Sequence, residues 1–143
     1  MRRRLLCFAA VAAATTAAAQ GQRFSTLWTH NGSIMRMEAD GSRRVISYEK
    51  AREGLLRTDV SSGATLFRGE RIGDEFRGQA YTFKLGCSPA SYPVSGRIEG
   101  GRRLVLRGPA PVYDPGSCAV TGYAADSPHA RLVFDLVRGA APD

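Results

Sequence analysis

The chain has 143 residues, of which 43% are hydrophobic and 23% charged, with 20 basic and 13 acidic side chains. This length is sufficient for a single domain with one hydrophobic core. The charge excess is modest, basic residues alternate with acidic ones, and no run of five or six like charges occurs, so we expect no nucleic-acid partner.

The first nineteen residues have the pattern of an export signal. Arg2, Arg3 and Arg4 precede an apolar stretch from Leu5 to about residue 14, and small residues lead up to Gln20. The apolar stretch is shorter than the ~20 residues that span a bilayer, which makes a retained membrane anchor the less favoured alternative. We therefore expect a signal peptide at 1–19 and a single mature domain at 20–143, located in the periplasm or secreted. The mature chain keeps 17 basic and 13 acidic residues, a net charge of +4, and we expect no integral membrane segment in it.

Two dipeptides near the mature N-terminus predict tight hairpins. Asn31-Gly32 and Asp40-Gly41 both suit two-residue type I′ turns, in which both central residues have positive φ. The strands predicted around these turns are residues 26–30, 33–39 and 42–49.

One face of this three-stranded sheet is predicted to be apolar. Counting outward from each turn places Trp28 opposite Met35, and Met35 opposite Ile46. The same count places Glu38 opposite Arg43 on the charged face. The other residues predicted on the apolar face are His30, Met37 and Tyr48.

A further hairpin is predicted at Gly73-Asp74, between strands at 64–72 and 75–85. Its register sets Gly69 opposite Gly78, which predicts a sharp bend, a close approach of another group, or an internal space. The other opposed pairs in this hairpin are Phe67 with Ala80 and Glu70 with Arg77.

The C-terminal half supplies one more hairpin and a closing strand. A three-residue loop at 100–102 sets Ile98 opposite Leu104, and residues 130–137 alternate apolar with polar side chains. Helix is expected only at 50–56, for a turn or so. Seven or eight strands joined mostly by tight hairpins predict an up-and-down antiparallel β-barrel, with a two-sheet β-sandwich as the alternative.

The cysteines predict one disulfide. Cys7 leaves with the signal peptide, and the remaining pair, Cys87 and Cys118, lies in an oxidising compartment and lacks Cys-x-x-Cys spacing. Closing a loop of about thirty residues stabilises a domain by roughly 3–4 kcal/mol. We therefore interpret the pair as a structural cross-link.

Motifs of catalysis are missing from the sequence. It contains no Gly-x-Ser-x-Gly, no His-Glu-x-x-His and no phosphate-binding glycine loop. Its two histidines, His30 and His129, are too few for a zinc site without distant carboxylates. The carboxylate pairs Glu70/Glu75 and Asp114/Asp126 are assigned to the surface and to turns. We expect a protein without enzymatic activity, cofactor or metal.

Binding is then the remaining role, and two long connections, 49–63 and 109–128, offer surfaces for it. The candidate contact residues are Trp28, His30, Tyr48, Arg52 and Tyr113. Our first hypothesis is a monomeric protein-interaction or inhibitor-like module that binds a macromolecule of the cell envelope. The alternative is a carrier that holds a small apolar or aromatic ligand inside the barrel against Trp28, Met35, Phe67 and Phe76.

The chain also resembles a known group of sequences. The residues that carry the resemblance are 27–35, 46–49, 66–69, 76–80, Cys87 and 92–96, chiefly turn glycines, core aromatics and a cysteine. In these it is similar to a family of small exported bacterial β-proteins without an assigned activity, whose pattern has Pro where this chain has Ala51. The resemblance implies an exported β-fold and supplies no catalytic residues.

Overall fold

The computed structural model describes residues 22–58 and 60–139, and the signal peptide predicted at 1–19 lies outside them. Ten β-strands make up most of this part of the chain. The strands are β1 (Arg23–His30), β2 (Ser33–Asp40), β3 (Arg43–Lys50), β4 (Thr65–Ile72), β5 (Glu75–Thr82), β6 (Ala90–Glu99), β7 (Arg103–Arg107), β8 (Ala110–Tyr113), β9 (Val120–Ala124) and β10 (Arg131–Leu136).

Eight of these strands close into an antiparallel barrel in the order β1 to β7 followed by β10, which returns to β1. All neighbouring strand pairs in the barrel are consecutive in the sequence, except β7–β10 and β10–β1. The predicted up-and-down barrel is therefore confirmed, and the sandwich alternative is wrong. The closing pair is short: Trp28 opposes Leu136, and Thr29 opposes Asp135. Strands β8 and β9 form a separate two-stranded sheet between β7 and β10.

Three of the predicted hairpin registers are confirmed. Trp28 opposes Met35 across the first turn, Gly69 opposes Gly78 across the Gly73-Asp74 turn, and Ile98 opposes Leu104. Each turn contains glycine with positive φ, which is the conformation that glycine adopts without a steric penalty.

The register predicted for the second hairpin is wrong. Met35 and Glu38 of β2 each pair with a β3 residue two positions later in the chain than predicted. Asp40 pairs with Arg43, so that Gly41 and Ser42 form the turn, and Gly41 has φ of 59° as in a type II′ turn. Met35 consequently opposes Tyr48 rather than Ile46, and Glu38 opposes Val45 rather than Arg43. Because the shift is even, every side chain keeps its predicted face.

The barrel interior is packed with large side chains. Trp28, Met35, Phe67 and Phe76 are all 0% exposed, and the rings of Phe67 and Phe76 lie 6.4 Å apart. Other buried residues of this core are Met37, Ile46, Tyr92, Leu104, Leu106, Leu132 and Phe134. The apolar face predicted for β1 to β3 is therefore the inner wall of the barrel.

The facing glycines mark a close approach. A Cβ atom at Gly69 would lie 2.1 Å from the Arg77 carbonyl oxygen and 2.7 Å from Cζ of Phe67, and one at Gly78 would lie 2.2 Å from the Arg68 carbonyl oxygen. Backbone and the Phe67 ring occupy the space that a side chain would need. Of the outcomes predicted for this pair, close approach is confirmed, and the internal space is filled.

Two segments differ from their predicted structure. The short helix lies at Glu53–Thr58 as a 3-10 helix, because β3 continues to Lys50. The connection predicted at 109–128 contains the β8–β9 hairpin. Proline and glycine at 109, 111, 115 and 116 gave this segment the composition of a loop, although Pro111 pairs with Tyr123 in the hairpin.

Up-and-down order gives the barrel two unlike ends. The loop end carries the three long connections, 51–64, 83–89 and 108–130, and the tight turn 31–32. The turn end carries the short turns 41–42, 73–74 and 100–102. Within the described part of the chain, no helix has the length and apolar character needed to cross a bilayer.

Candidate functional site

A cleft of about 310 Å³ opens at the loop end of the barrel. We name it the mouth cleft. Its lining residues come from the barrel wall, from the turn at Asn31 and from all three long connections. They are His30, Asn31, Tyr48, Arg52, Gly54, Leu55, Thr58, Val60, Leu66, Tyr81, Thr82, Phe83, Tyr92, Pro128, His129 and Leu132.

Arg52 is fixed to the rim of the mouth cleft by its backbone. Its N–H donates to the hydroxyl of the buried Ser33 at 3.0 Å, and its carbonyl accepts from the N–H of Leu55 at 3.0 Å. The side chain extends over the turn at Gly32, where its Cδ would lie 3.6 Å from an added Cβ. The guanidinium is therefore presented to solvent at the entrance of the cleft.

Tyr48 forms part of the cleft wall at the end of β3. Backbone hydrogen bonds to the 63–64 turn hold it, with its N–H donating to the Ala64 carbonyl at 2.9 Å. Its ring meets the ring of Phe83 edge-on at 6.3 Å. Burial raises the pKa of the Tyr48 hydroxyl, and the positive charge of Arg52 acts in the opposite direction.

His30 is held in one tautomer by the barrel. Its Nδ1 lies 2.8 Å from the Val133 carbonyl oxygen, a hydrogen bond in which Nδ1–H must be the donor. The ring stacks on Phe134 at 4.7 Å. Burial is the main cause that lowers the pKa of His30, and the charge of Arg52 lowers it further. The imidazole is therefore neutral at neutral pH, with Nε2 unprotonated.

His129 was not predicted to lie in this site. It lies in the short 3-10 helix Pro128–Ala130, where its N–H donates to the Ser127 hydroxyl at 3.2 Å and its carbonyl accepts from the Tyr92 hydroxyl at 2.5 Å. Burial lowers its pKa. Both histidines of the chain thus line one cleft.

The β8–β9 hairpin is attached to the end of β5 and to the 83–89 connection by several independent contacts. The predicted disulfide between Cys87 and Cys118 is confirmed. The Lys84 ammonium donates to the carbonyls of Asp114 at 2.8 Å and Ser117 at 2.6 Å, and the Tyr113 hydroxyl lies 3.1 Å from that of Thr82. We name residues 83–89 and 110–124 together the stapled unit. Its backbone is fixed relative to the barrel.

The stapled unit carries most of the large apolar side chains that are described as exposed. Among the side chains that the structure describes, six large apolar ones are exposed, and four of these belong to this unit: Leu85, Val112, Val120 and Tyr123. Exposed apolar groups on a rigid backbone are a common feature of interaction surfaces, because little conformational entropy is lost when they bind.

The structure separates the five predicted contact residues into three environments. His30, Tyr48 and Arg52 meet at the mouth cleft. Tyr113 lies in the stapled unit. Trp28 lies in the core, where its Nε1–H donates to the Thr26 hydroxyl at 2.7 Å. The lining residues Leu55, Val60, Phe83 and His129 were not predicted, since only the closed barrel brings them together.

One carboxylate of each pair considered for catalysis has a structural partner. Glu75 accepts from Arg77 at 2.8 Å, and Asp114 accepts from the Ser117 hydroxyl at 2.9 Å within its turn. The part of the chain that the structure describes holds no cluster of three or more His, Cys, Asp or Glu residues arranged to bind a metal ion.

The chain matches no protein-family model, no curated protein and no solved structure.

Proposed function

We propose that this protein is a non-enzymatic, inhibitor-like interaction module of the bacterial cell envelope, which binds a partner protein through its loop end. The observation that carries the proposal is the stapled unit: its exposed apolar side chains stand on a backbone fixed by a disulfide, by Lys84 and by Tyr113. Fixed apolar and aromatic groups of this kind act as anchors in protein interfaces.

Location in the periplasm or outside the cell is part of this proposal. The Cys87–Cys118 disulfide supports it, because such bonds persist in oxidising compartments and are rare in the cytosol. The long connections add support, since binding residues in β-folds concentrate in loops held by a rigid scaffold.

A carrier with its ligand inside the barrel is less well supported. The four side chains expected to contact that ligand, Trp28, Met35, Phe67 and Phe76, pack against the core and are fully buried. The space predicted at Gly69 is filled by the Phe67 ring and by backbone.

A comparison of three forms of the protein tests the proposal. Wild-type protein and the variants Tyr123→Ser and Ile72→Ser are immobilised and exposed to an envelope extract of the native host. Tyr123 is 61% exposed in the stapled unit, and Ile72 is 71% exposed at the turn end, so each variant removes a solvent-facing apolar group. We expect wild type and Ile72→Ser to retain the same envelope protein, and Tyr123→Ser to bind it at least tenfold more weakly.

Two results would overturn the proposal. One is the absence of any envelope protein retained in preference to the extract as a whole. The other is equal binding by all three forms. Native mass spectrometry of protein purified from its own host addresses the alternative, since a retained small-molecule mass would support the carrier.

A further inference from the structure

The guanidinium of Arg52 has no partner in residues 22–58 and 60–139. The chain has many arginines, and several are neutralised in the fold: Arg36 donates to Glu49, Arg77 to Glu75 and Arg103 to Asp135. Arg52 uses only its backbone, toward Ser33 and Leu55. Its charge therefore remains available at the entrance of the mouth cleft.

A second donor in the cleft is also unused. Tyr48 is only 5% exposed, and its hydroxyl makes no hydrogen bond within the described residues. No buried side-chain nitrogen or oxygen in that part of the chain lacks a partner. The Tyr48 hydroxyl must therefore reach the solvent of the cleft. A tyrosine hydroxyl is protonated at neutral pH, and burial raises the pKa of Tyr48 further, so the hydroxyl can donate to a ligand.

The charge balance of the lining favours an anion. The titratable groups that line the cleft are Arg52, two histidines and three tyrosines, and no carboxylate is among the described lining residues. Because both histidines have lowered pKa values, Arg52 supplies the positive charge at neutral pH. An arginine fork and a hydroxyl donor together match the geometry of a carboxylate.

The rest of the cleft is suited to a compact apolar group. Leu55, Val60 and Phe83 form part of its wall. Its volume of about 310 Å³ lies at the lower limit of the range for small-molecule sites, which is roughly 300–1,000 Å³. The space therefore accommodates one ring or one branched side chain rather than an extended ligand.

We propose that the mouth cleft binds a carboxylate carried on a compact apolar or aromatic group, with Arg52 and the Tyr48 hydroxyl as its donors. This inference takes from the proposed function only that the loop end is the binding face. The same chemistry is presented by a free carboxylic acid and by an acidic group of a protein partner.

Phenylacetate is the probe that tests the cleft, and phenylacetamide is its matched neutral control. Both are titrated into the folded protein at pH 7.5 and followed by NMR. We expect phenylacetate to shift the signals of Val60, Phe83 and His129, and the amide to bind at least tenfold more weakly. Arg52→Gln and Tyr48→Phe should each weaken phenylacetate binding, the former at least tenfold, while Arg43→Gln at the turn end leaves it unchanged.

Equal binding of acid and amide, wild-type affinity in Arg52→Gln, or no binding of phenylacetate would each overturn the inference. Circular dichroism of each variant verifies that the barrel is intact. Since Arg52 is exposed, its substitution leaves the core packing in place.

The two sources of the carboxylate give different results in competition. If the acidic group belongs to a partner protein, saturating phenylacetate releases that protein from immobilised wild type. If it belongs to a free acid, protein from the native host retains a small acidic mass. Partner binding that depends on Tyr123, together with no binding of phenylacetate to the protein, would leave the proposed function standing and refute the carboxylate site. Phenylacetate binding without any retained partner protein would support the carboxylate site and refute the proposed function.

Discussion

Replacement of Trp28 by alanine tests whether the barrel is held together from its interior. The indole is 0% exposed and its Nε1–H donates to the Thr26 hydroxyl at 2.7 Å. Removing a fully buried Trp side chain costs about 3–5 kcal/mol, from lost transfer free energy and the cavity that remains. For a domain of this size, whose stability is about 5–15 kcal/mol, we expect a thermal midpoint lower by roughly 10–20 °C.

Urea unfolding followed by far-UV circular dichroism is the suitable assay, because Trp28 is the single tryptophan of the chain and its fluorescence is lost with it. Phe24→Ala is the matched control, since Phe24 lies on the same strand but is 41% exposed. We expect this control to lose about 1 kcal/mol. If Trp28→Ala does not fold, Trp28→Phe should still fold with a loss of about 1–2 kcal/mol. A loss below about 1 kcal/mol in Trp28→Ala, at unchanged m-value, would refute the packing argument.

Three further predictions concern the glycine pair, the disulfide and pH. Gly69→Ala should destabilise the barrel by about 1–3 kcal/mol in urea unfolding, because the new Cβ would meet backbone at 2.1 Å. Replacing Cys87 and Cys118 together by serine should cost roughly 3–4 kcal/mol in the same assay, the loop entropy of a cross-link that spans 31 residues. Lowering the pH from 7.5 to 5.5 should lower the urea midpoint, because the folded state lowers the pKa of His30 and the unfolded state then binds more protons.

Each of these predictions has a control and a contradicting result. Gly122→Ala is the control for the glycine pair, since nothing lies within 4 Å of a Cβ there. Equal effects of Gly69→Ala and Gly122→Ala would contradict close approach. Wild-type stability of the double serine variant would contradict a stabilising cross-link. His30→Gln should reduce the change in urea midpoint between pH 7.5 and 5.5. If that change is the same in His30→Gln as in wild type, the pH dependence comes from groups other than His30.

The sequence predicted most of the barrel because its turns contain glycine in positions that demand positive φ. The Gly73-Asp74 and 100–102 turns fixed their registers, and through them the residues that face inward. The second turn was placed one residue early, since Asp40-Gly41 is a good type I′ pair, whereas only Gly41 adopts positive φ. The inward faces were still correct, because pairing shifted by two and alternation along a strand has a period of two.

The site could be predicted only in part. His30 and Tyr48 were recognised from the apolar row of the first sheet, and Arg52 from its long connection. Their meeting with His129 depends on barrel closure, which brings β10 beside β1. One signal was available in principle: in an up-and-down chain alternate connections share an end, so 51–64, 83–89 and 108–130 had to lie together. The β8–β9 hairpin could not be predicted from a segment whose prolines interrupt the alternation.

Barrel closure has a consequence for the order of events during synthesis. Thr29 and Asp135 pair although they stand 106 residues apart along the chain. A ribosome releases the last strand only after every other strand has emerged, so a nascent chain has two unpaired edges, β1 and β7, which invite pairing with neighbouring chains. Fragments that end before β10 retain those edges permanently. The smallest unit that folds without this hazard therefore includes both β1 and β10.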